Sequence, residues 1–304
     1  MANKSVNENS AAVQQGEYIK EKTWRDKSFF IVAKQFAKNK VALIGLVVIV
    51  VMIFASVFAP WLAPYDYTKV DPINAMAAPS AEHWFGTDTF GRDIFSRILY
   101  GGRTSLLIGT GSAAFSVIVA VIFGTIAGYY GGWIDNIIMR VCDLIQNLPS
   151  ILLAICISQA FGQGLLPLMV ALGINTAASM TRLLRATMLN IRDQEYVEAA
   201  KVINCSKFTI MFKHILPNSL TPLIVSASMG IGMKIMSAAS LSFLGLGIQE
   251  PMAEWGAMIS AGKSYMRYAP HLVLIPGLFV ALVVFAFNMV GDGMRDALDP
   301  KLRT

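Results

Sequence analysis

The chain has 304 residues, of which 55% are hydrophobic and 14% charged, with 25 Lys+Arg against 19 Asp+Glu and a net charge of +6. Soluble domains carry about a quarter charged residues, so this composition excludes an ordinary soluble enzyme and describes a polytopic membrane protein. Much of the positive excess precedes the first apolar run, where the positive-inside bias accounts for it without any nucleic-acid partner.

Residues 1–40 are polar, with eight Lys/Arg against four Asp/Glu. No apolar run of the secretory-signal kind starts near Met1, and the stretch to about Gln15 has the composition of a disordered tail. Trp24, Phe29, Phe30, Val32 and Phe36 among basic residues spell either an amphipathic helix on the inner leaflet or a solvated basic tail. Val41 to Ala59 is an uncharged run of nineteen residues, matching the roughly 20 needed to cross a bilayer. Lys34, Lys38 and Lys40 before it place the N-terminus in the cytoplasm.

Residues 60–103 then lie outside, with five acidic and four basic residues and no positive bias. Gly86 and Gly91 permit tight turns, and Asp88 or Thr89 is placed to cap a short helix. Ile94, Phe95, Ile98 and Leu99 give that helix one apolar face, as expected for a segment in the outer interface. Gly101-Gly102-Arg103 is not a phosphate loop, because no strand precedes it and the loop lysine is missing.

Thr104 to Tyr129 is the second expected span. Its Gly124 and Gly128 are spaced for close helix packing, within one subunit or between two. Residues 137–161 form the third, kinked at Pro149. Arg140 and Asp143 there are spaced to pair, and the cost of a lone charge at mid-bilayer puts them near the cytoplasmic end or inside the bundle. Leu165 to Ile191 is the fourth span. Asn175, Ser179 and Arg182 share one of its faces, which either lines a translocation path or, with Arg185, marks the inner membrane surface.

Glu195 to Asn218 cannot be accommodated in a bilayer. Glu198, Ala199, Ala200, Lys201 and Val202 suit a helix. Asn204 tolerates a left-handed conformation and can turn one helix into the next. Phe208, Met211, Phe212 and Ile215 then form an apolar helical face, which Pro217 is expected to end. The fifth span, residues 220–246, is rich in serine. Its Met229, Met233 and Met236 recur on one face, either as helix packing or as the flexible lining of a cavity for varied ligands. Residues 247–270 return outside with Glu250, Glu254, Trp255, Lys263, Tyr265, Arg267 and Tyr268. His271 to Val290 is the last span, and 291–304 is a cytoplasmic tail.

The stretch after Glu195 resembles the EAA loop of the membrane subunits of bacterial ABC importers. The pattern maps onto Glu198, Ala199 and Ala200, then Asn204 in place of the usual Gly, then an ending at His214-Ile215-Leu216-Pro217. Gly86-Thr87-Asp88, two residues, Gly91-Arg92-Asp93 is similar to a sequence of the peptide and nickel branch. The ending with Gly291-Asp292, Arg295-Asp296 and Leu298-Asp299-Pro300 also looks like the peptide permease branch. The resemblance implies an all-α membrane fold of six transmembrane helices, a MetI-like core of five plus one N-terminal helix. The core is residues 104–290, with the coupling loop at 192–218. It implies the C-type permease of a di- or oligopeptide importer in the bacterial cytoplasmic (inner) membrane, both termini inside, working by alternating access. The implied partners are a second homologous permease subunit, two ATP-binding subunits, an extracytoplasmic substrate-binding protein and membrane lipid. The coupling contact would fall on Glu198, Ala199, Ala200, Asn204, Ile215 and Pro217.

The motifs that would make the chain itself an enzyme are missing: no Walker A, HExxH, Cys/His cluster or G-x-S-x-G elbow. Cys142, Cys156 and Cys205 define no disulfide framework, and no metal site is expected. ATP and Mg would belong to the partner ATPases. The rival readings are a nickel, glutathione or other solute importer on the same scaffold, and an ion-driven secondary transporter. The last requires mid-membrane charges and usually inverted repeats, which the sequence is not read as carrying. A membrane scaffold would leave the EAA-like spacing unexplained.

Overall fold

A computed structural model describes residues 32–162 and 164–298; Trp24, Phe29, Phe30 and the Asp299-Pro300 pair lie outside them. The described residues are helical apart from loops and one isolated bridge, Thr87 to Asp93. Residues 32–38 are helical, and Phe36 reaches Gly293 near the end of the last helix.

Helix α1 is Lys40–Val57, started by Asn39, whose side chain accepts from the backbone N–H of Val41 and of Ala42. Ala42, Gly45, Ile49, Met52 and Ser56 are buried at alternating spacings of three and four, a stripe that packs on the last helix. Val41, Ile44, Val47, Val50 and Val51 stay exposed on the other side, as lipid-facing side chains do.

Helix α2 runs unbroken from Ile94 to Tyr130, about 55 Å at the α-helical rise. The separate interfacial helix expected before Thr104 does not exist. Asp93, not Asp88 or Thr89, supplies the cap, accepting from the Ser96 N–H at 2.7 Å. Leu99 is buried, and Ile94 and Ile98 are buried in a core that includes Trp255, Met258 and Leu272. That packing is why the helix continues straight through Gly101-Gly102.

Helix α3, Gly132–Asn147, and helix α4, Ser150–Phe161, are bent by 97° at Leu148-Pro149. This is a break rather than the expected kink. Leu148 before the proline is extended, with ψ 133°, as the proline ring requires. Helix α5, Leu165–Arg192, packs along α2. A Cβ on Gly124 would lie 3.0 Å from the Thr181 carbonyl, and one on Gly128 would lie 2.9 Å from Met188 Cβ. The glycine pair therefore serves packing within the chain.

After α5 come helix α6, Glu195–Val202, the single turn Lys207–Thr209, a π-helical stretch Ile210–Ile215 and helix α7, Leu216–Phe243. Helix α8, Trp255–Gly262, and helix α9, His271–Leu298, complete the chain. The last span is thus longer than the sequence suggests and carries the Gly291-Asp292 and Arg295-Asp296 motif as helix.

Among the described residues, four helical segments are long and apolar enough to cross a membrane: α1, α2, Lys207–Phe243 and α9; counting the bent α3–α4 pair makes five. Helix α5 is as long as α9, with 28 residues, but Asn175, Thr176, Ser179, Arg182 and Arg185 lower its apolarity. The chain is a multi-pass membrane protein with four or five such candidate spans.

Candidate functional site

Two features stand out: an exposed loop between α5 and α7, and a polar cavity among α4, α5 and α7. In the loop, α6 is anchored by one face. Val197 and Ala200 are buried in a core with Leu184, Met188, Ile210, Ile215 and Leu223. Glu198 points outward with its side chain 68% exposed, and Ala199 is exposed beside it. Of the EAA residues, then, Glu198 and Ala199 are presented, whereas Ala200 is part of the anchor.

Asn204 has φ +59°, the left-handed conformation the sequence assigns to it. The Cys205 N–H donates back to the Ala200 carbonyl at 3.0 Å, closing the turn. Ser206 then caps the next helical turn, accepting from the Thr209 N–H at 3.2 Å. The apolar face beyond it divides. Met211 and Ile215 are buried, while Phe208 and Phe212 are exposed, with near-parallel rings 6.4 Å apart between centroids. Val202 and Ile203, at the end of the helix that carries Glu198, are likewise exposed.

Pro217 does not end the helix. It sits in the first turn of α7, directly after the π-helical stretch. A proline ring collides with the carbonyl four residues earlier in a regular α-helix, and a wider π turn relieves such a clash. The Leu216 N–H accordingly donates to the Met211 carbonyl, five residues back. The Asn218 and Ser219 side chains donate to the carbonyls of His214, at 2.7 Å, and Ile215, at 2.9 Å.

The cavity has a volume of about 280 Å³ and is lined by Ser150, Asn175, Thr176, Met233, Lys234 and Ser237, among others. Of the residues read as path-lining, Asn175 and Met233 are brought together here. Met236 is exposed on α7 outside it, and Met229 packs against Gly291 of α9. The methionine stripe is therefore shared between a cavity and a helix contact. Ser179 is exposed and donates to the Asn175 carbonyl at 3.4 Å.

Arg182 donates to Asp143 at 2.5 Å, whereas Arg140 approaches the same carboxylate only to 4.0 Å. Arg185 holds Asp135 with both a 2.6 Å bond from Nε and a second from Nη2. These two pairs tie α3 to α5 and neutralise the arginines that make α5 polar.

The sequence reading passes over Lys234, although it is the one ionisable Asp, Glu, Lys or Arg in α7 and stands near its middle. That lone charge in an apolar run was the available signal, and it lies inside a helical segment long and apolar enough to cross a membrane. Lys234 is 4% exposed. Its ammonium donates to Thr176 Oγ1 at 3.0 Å, Ser116 Oγ at 3.3 Å and the Leu172 carbonyl at 3.3 Å. A lysine at a span centre costs about 2.5–3.5 kcal/mol on insertion scales.

On the opposite end of the molecule, Gly86-Thr87-Asp88 and Gly91-Arg92-Asp93 form a knot of turns. Gly91 has φ +75°, and a Cβ there would lie 1.7 Å from the Asp71 carbonyl oxygen, so only glycine fits. The Thr87 hydroxyl donates to the Asn74 carbonyl, and Asp93 receives His83 at 3.0 Å. Arg92, 4% exposed, bonds Asp88 at 2.7 Å and both carboxylate oxygens of Glu250 at 2.6 and 3.1 Å. The motif thereby joins the loop between α1 and α2 to the loop between α7 and α8. Desolvation pushes the Glu250 carboxyl up, but the bond from Arg92 and the charges of Arg92 and Arg97 outweigh it and hold it below the usual carboxylate range.

A helical bundle with a polar internal cavity, a surface loop of two short helices and an ion-paired strap between the loops at its other end defines a membrane transport subunit. The chain belongs to the family described as binding-protein-dependent transport system inner membrane component, whose model matches residues 120–304. Residues 28–79 match the N-terminal TM domain of oligopeptide transport permease C. The chain is 47% identical to a dipeptide transport system permease protein of Alkalihalophilus pseudofirmus, over 95% of this chain and 93% of that one. It is 44% identical to a glutathione transport system permease protein of Pectobacterium atrosepticum, covering 89% and 90%. It is 39% identical to an oligopeptide transport system permease protein of Bacillus subtilis, covering 92% and 90%. Among solved structures, an inward-facing MetNI methionine ABC transporter matches with TM-score 0.55 and 16% identity, over 67% of this chain and 97% of that one. That likeness shows the MetI-like fold.

Proposed function

We propose that the chain is the C-type permease of an ATP-driven importer of di- and oligopeptides in the bacterial inner membrane. The observation that carries the coupling role is the loop geometry. Glu198 and Ala199 stand outward on a helix whose other face is locked into the core, beside an apolar patch of Val202, Ile203, Phe208 and Phe212. Exposed apolar patches rimmed by polar groups mark protein contacts. In this reading an ATPase binds the patch, and its ATP-driven closure moves α6 and, through Val197 and Ala200, the cores of α5 and α7. The chain itself holds no ATP or Mg. A second homologous permease, a second ATPase and an extracytoplasmic binding protein complete the assembly.

The reading also assigns six spans with both ends in the cytoplasm. Helix α5 counts as a span because its arginines are paired with Asp135 and Asp143. Peptide cargo rests on the dipeptide and oligopeptide relatives. The glutathione relative supports a second cargo, itself a small peptide-like acid.

The test is uptake of a labelled short peptide by cells lacking only this chain and other peptide importers, with and without the gene restored. Restored uptake is expected. Glu198→Lys should leave assembly partly intact while ATP hydrolysis continues without uptake; normal uptake by that variant would overturn the coupling role. If the wild-type gene restores no peptide uptake but the chain still co-purifies with an ATPase, the cargo is another solute, glutathione and nickel being the next to assay.

A further inference from the structure

Lys234 is a buried cation. Among the described residues no carboxylate oxygen lies within 4.0 Å of it; its three donors meet only the neutral oxygens of Ser116, Thr176 and Leu172. Ser116 spends its own proton on the carbonyls of Ser112, at 2.9 Å, and Gly173, at 2.8 Å, so it faces the ammonium as an acceptor. These oxygens solvate the charge but do not cancel it, and buried charges are ordinarily paired.

The charge borders the cavity of about 280 Å³, whose lining contains no Asp or Glu. A second feature has the same sign. Ser150 and Ile151, in the first turn of α4, also line the cavity, and that helix begins with no side-chain cap. A helix N-terminus carries partial positive charge and unbonded N–H groups. One and two turns further along α7 from Lys234, the hydroxyls of Ser237 and Ser240, which also line the cavity, donate to the Met233 carbonyl, at 2.8 Å, and the Met236 carbonyl, at 3.0 Å. Their oxygens remain available to accept from N–H groups. The cavity thus offers a cation and, further along the same helix, two hydroxyl acceptors.

We infer that Lys234 forms a carboxylate subsite in the translocation path, engaging the C-terminal carboxylate of the passing peptide while Ser237 and Ser240 accept from its amides. The inference rests on the peptide-import reading. It also answers a chemical need of that reading. Peptides of any sequence share a C-terminal carboxylate, so a cation there grips a group common to all cargoes and leaves the side chains unread. A lysine suits the task, because its ammonium is a compact point charge on a flexible stem and can leave its three neutral acceptors for a carboxylate and return to them afterwards.

The experiment compares uptake of labelled trialanine and trialanine C-terminal amide, in cells whose only peptide importer contains this chain. Wild type, Lys234→Met, Lys234→Gln and Lys234→Arg are assayed at equal membrane abundance, which immunoblotting establishes. Selection by an extracytoplasmic binding protein enters every strain alike and cancels when free-acid to amide ratios are compared. Lys234→Met and Lys234→Gln should lower that ratio about tenfold by slowing the free acid, with amide uptake little changed, and Lys234→Arg should keep the ratio within about twofold of wild type. A lysine that only braces α2, α5 and α7 would slow both cargoes equally, and that outcome, or an unchanged ratio, overturns the subsite. If wild type takes up neither peptide, the peptide reading falls and the subsite with it.

Discussion

Asn204 and Gly91 hold the left-handed backbone conformation for different reasons, and their substitutions should separate them. Asn204 is exposed at a turn with room around it. Asn204→Gly should therefore change stability by less than about 0.5 kcal/mol, whereas the β-branched Asn204→Val should cost about 1–2 kcal/mol. Gly91 has no room, with the Asp71 carbonyl oxygen 1.7 Å from where a Cβ would stand. Gly91→Ala should cost more than about 1 kcal/mol. Thermal unfolding of the purified chain in detergent checks all three, and a Gly91→Ala midpoint equal to wild type would contradict the packing described for the external loop.

At the scale of elements, Arg182 and Arg185 of α5 show how a polar helix is kept among apolar ones. Asp135 is 8% exposed and receives two bonds from Arg185. Arg185→Ala leaves that carboxylate unpaired and should cost about 1–3 kcal/mol. Replacing both, as Asp135→Asn with Arg185→Ala, should cost less than the sum of the single changes, because no orphaned charge remains. Strict additivity in the same unfolding assay would mean that the pair does not couple α3 to α5. The π-helical stretch before Pro217 is a second case. Local signals for stopping a helix are present, yet the wider turn and the side-chain bonds of Asn218 and Ser219 let it continue into α7.

Across the whole molecule, the α1–α2 and α7–α8 loops are held together by Arg92 and Glu250, far from the loop that carries Glu198. The sign of the pH effect follows from Glu250, whose folded-state pKa is depressed. Its contribution is fully present above the unfolded-state value, near 4.3, and is lost as pH falls through the lower folded value. Wild type should thus be more stable than Glu250→Gln at neutral pH, and the gap should close as the medium is acidified into and below the carboxylate range. A gap that stays constant with pH would show that the ion pair does not bind the loops. Packed helices connect the two ends: α6 rests on the core of α5 and α7, and Trp255 of α8 bonds the Ile98 carbonyl of α2 at 3.0 Å.

What the sequence determined by itself was local or compositional. Membrane class, the run 41–59, the exposed loop after Glu195 and the left-handed turn at Asn204 all follow from side-chain chemistry and short spacings. The outward Glu198 was legible from the EAA-like pattern, and close packing at Gly124 and Gly128 from their separation. The rest depended on contacts between residues distant in the chain. Ile94 to Leu99 look interfacial until Trp255 and Leu272 cover them and make one helix of Ile94–Tyr130. Ala200 and Ile215 look like loop residues until α5 and α7 bury them. Met229, Met233 and Met236 share a stripe in sequence, but only the placement of α9 and α4 decides which of them meets a helix and which a cavity. Lys234 was visible as a lone charge; that it faces that cavity with three neutral oxygens around it was decided by α2, α5 and α7 together. Periodicity reports which side chains share a face, and only the packed neighbours define what that face meets.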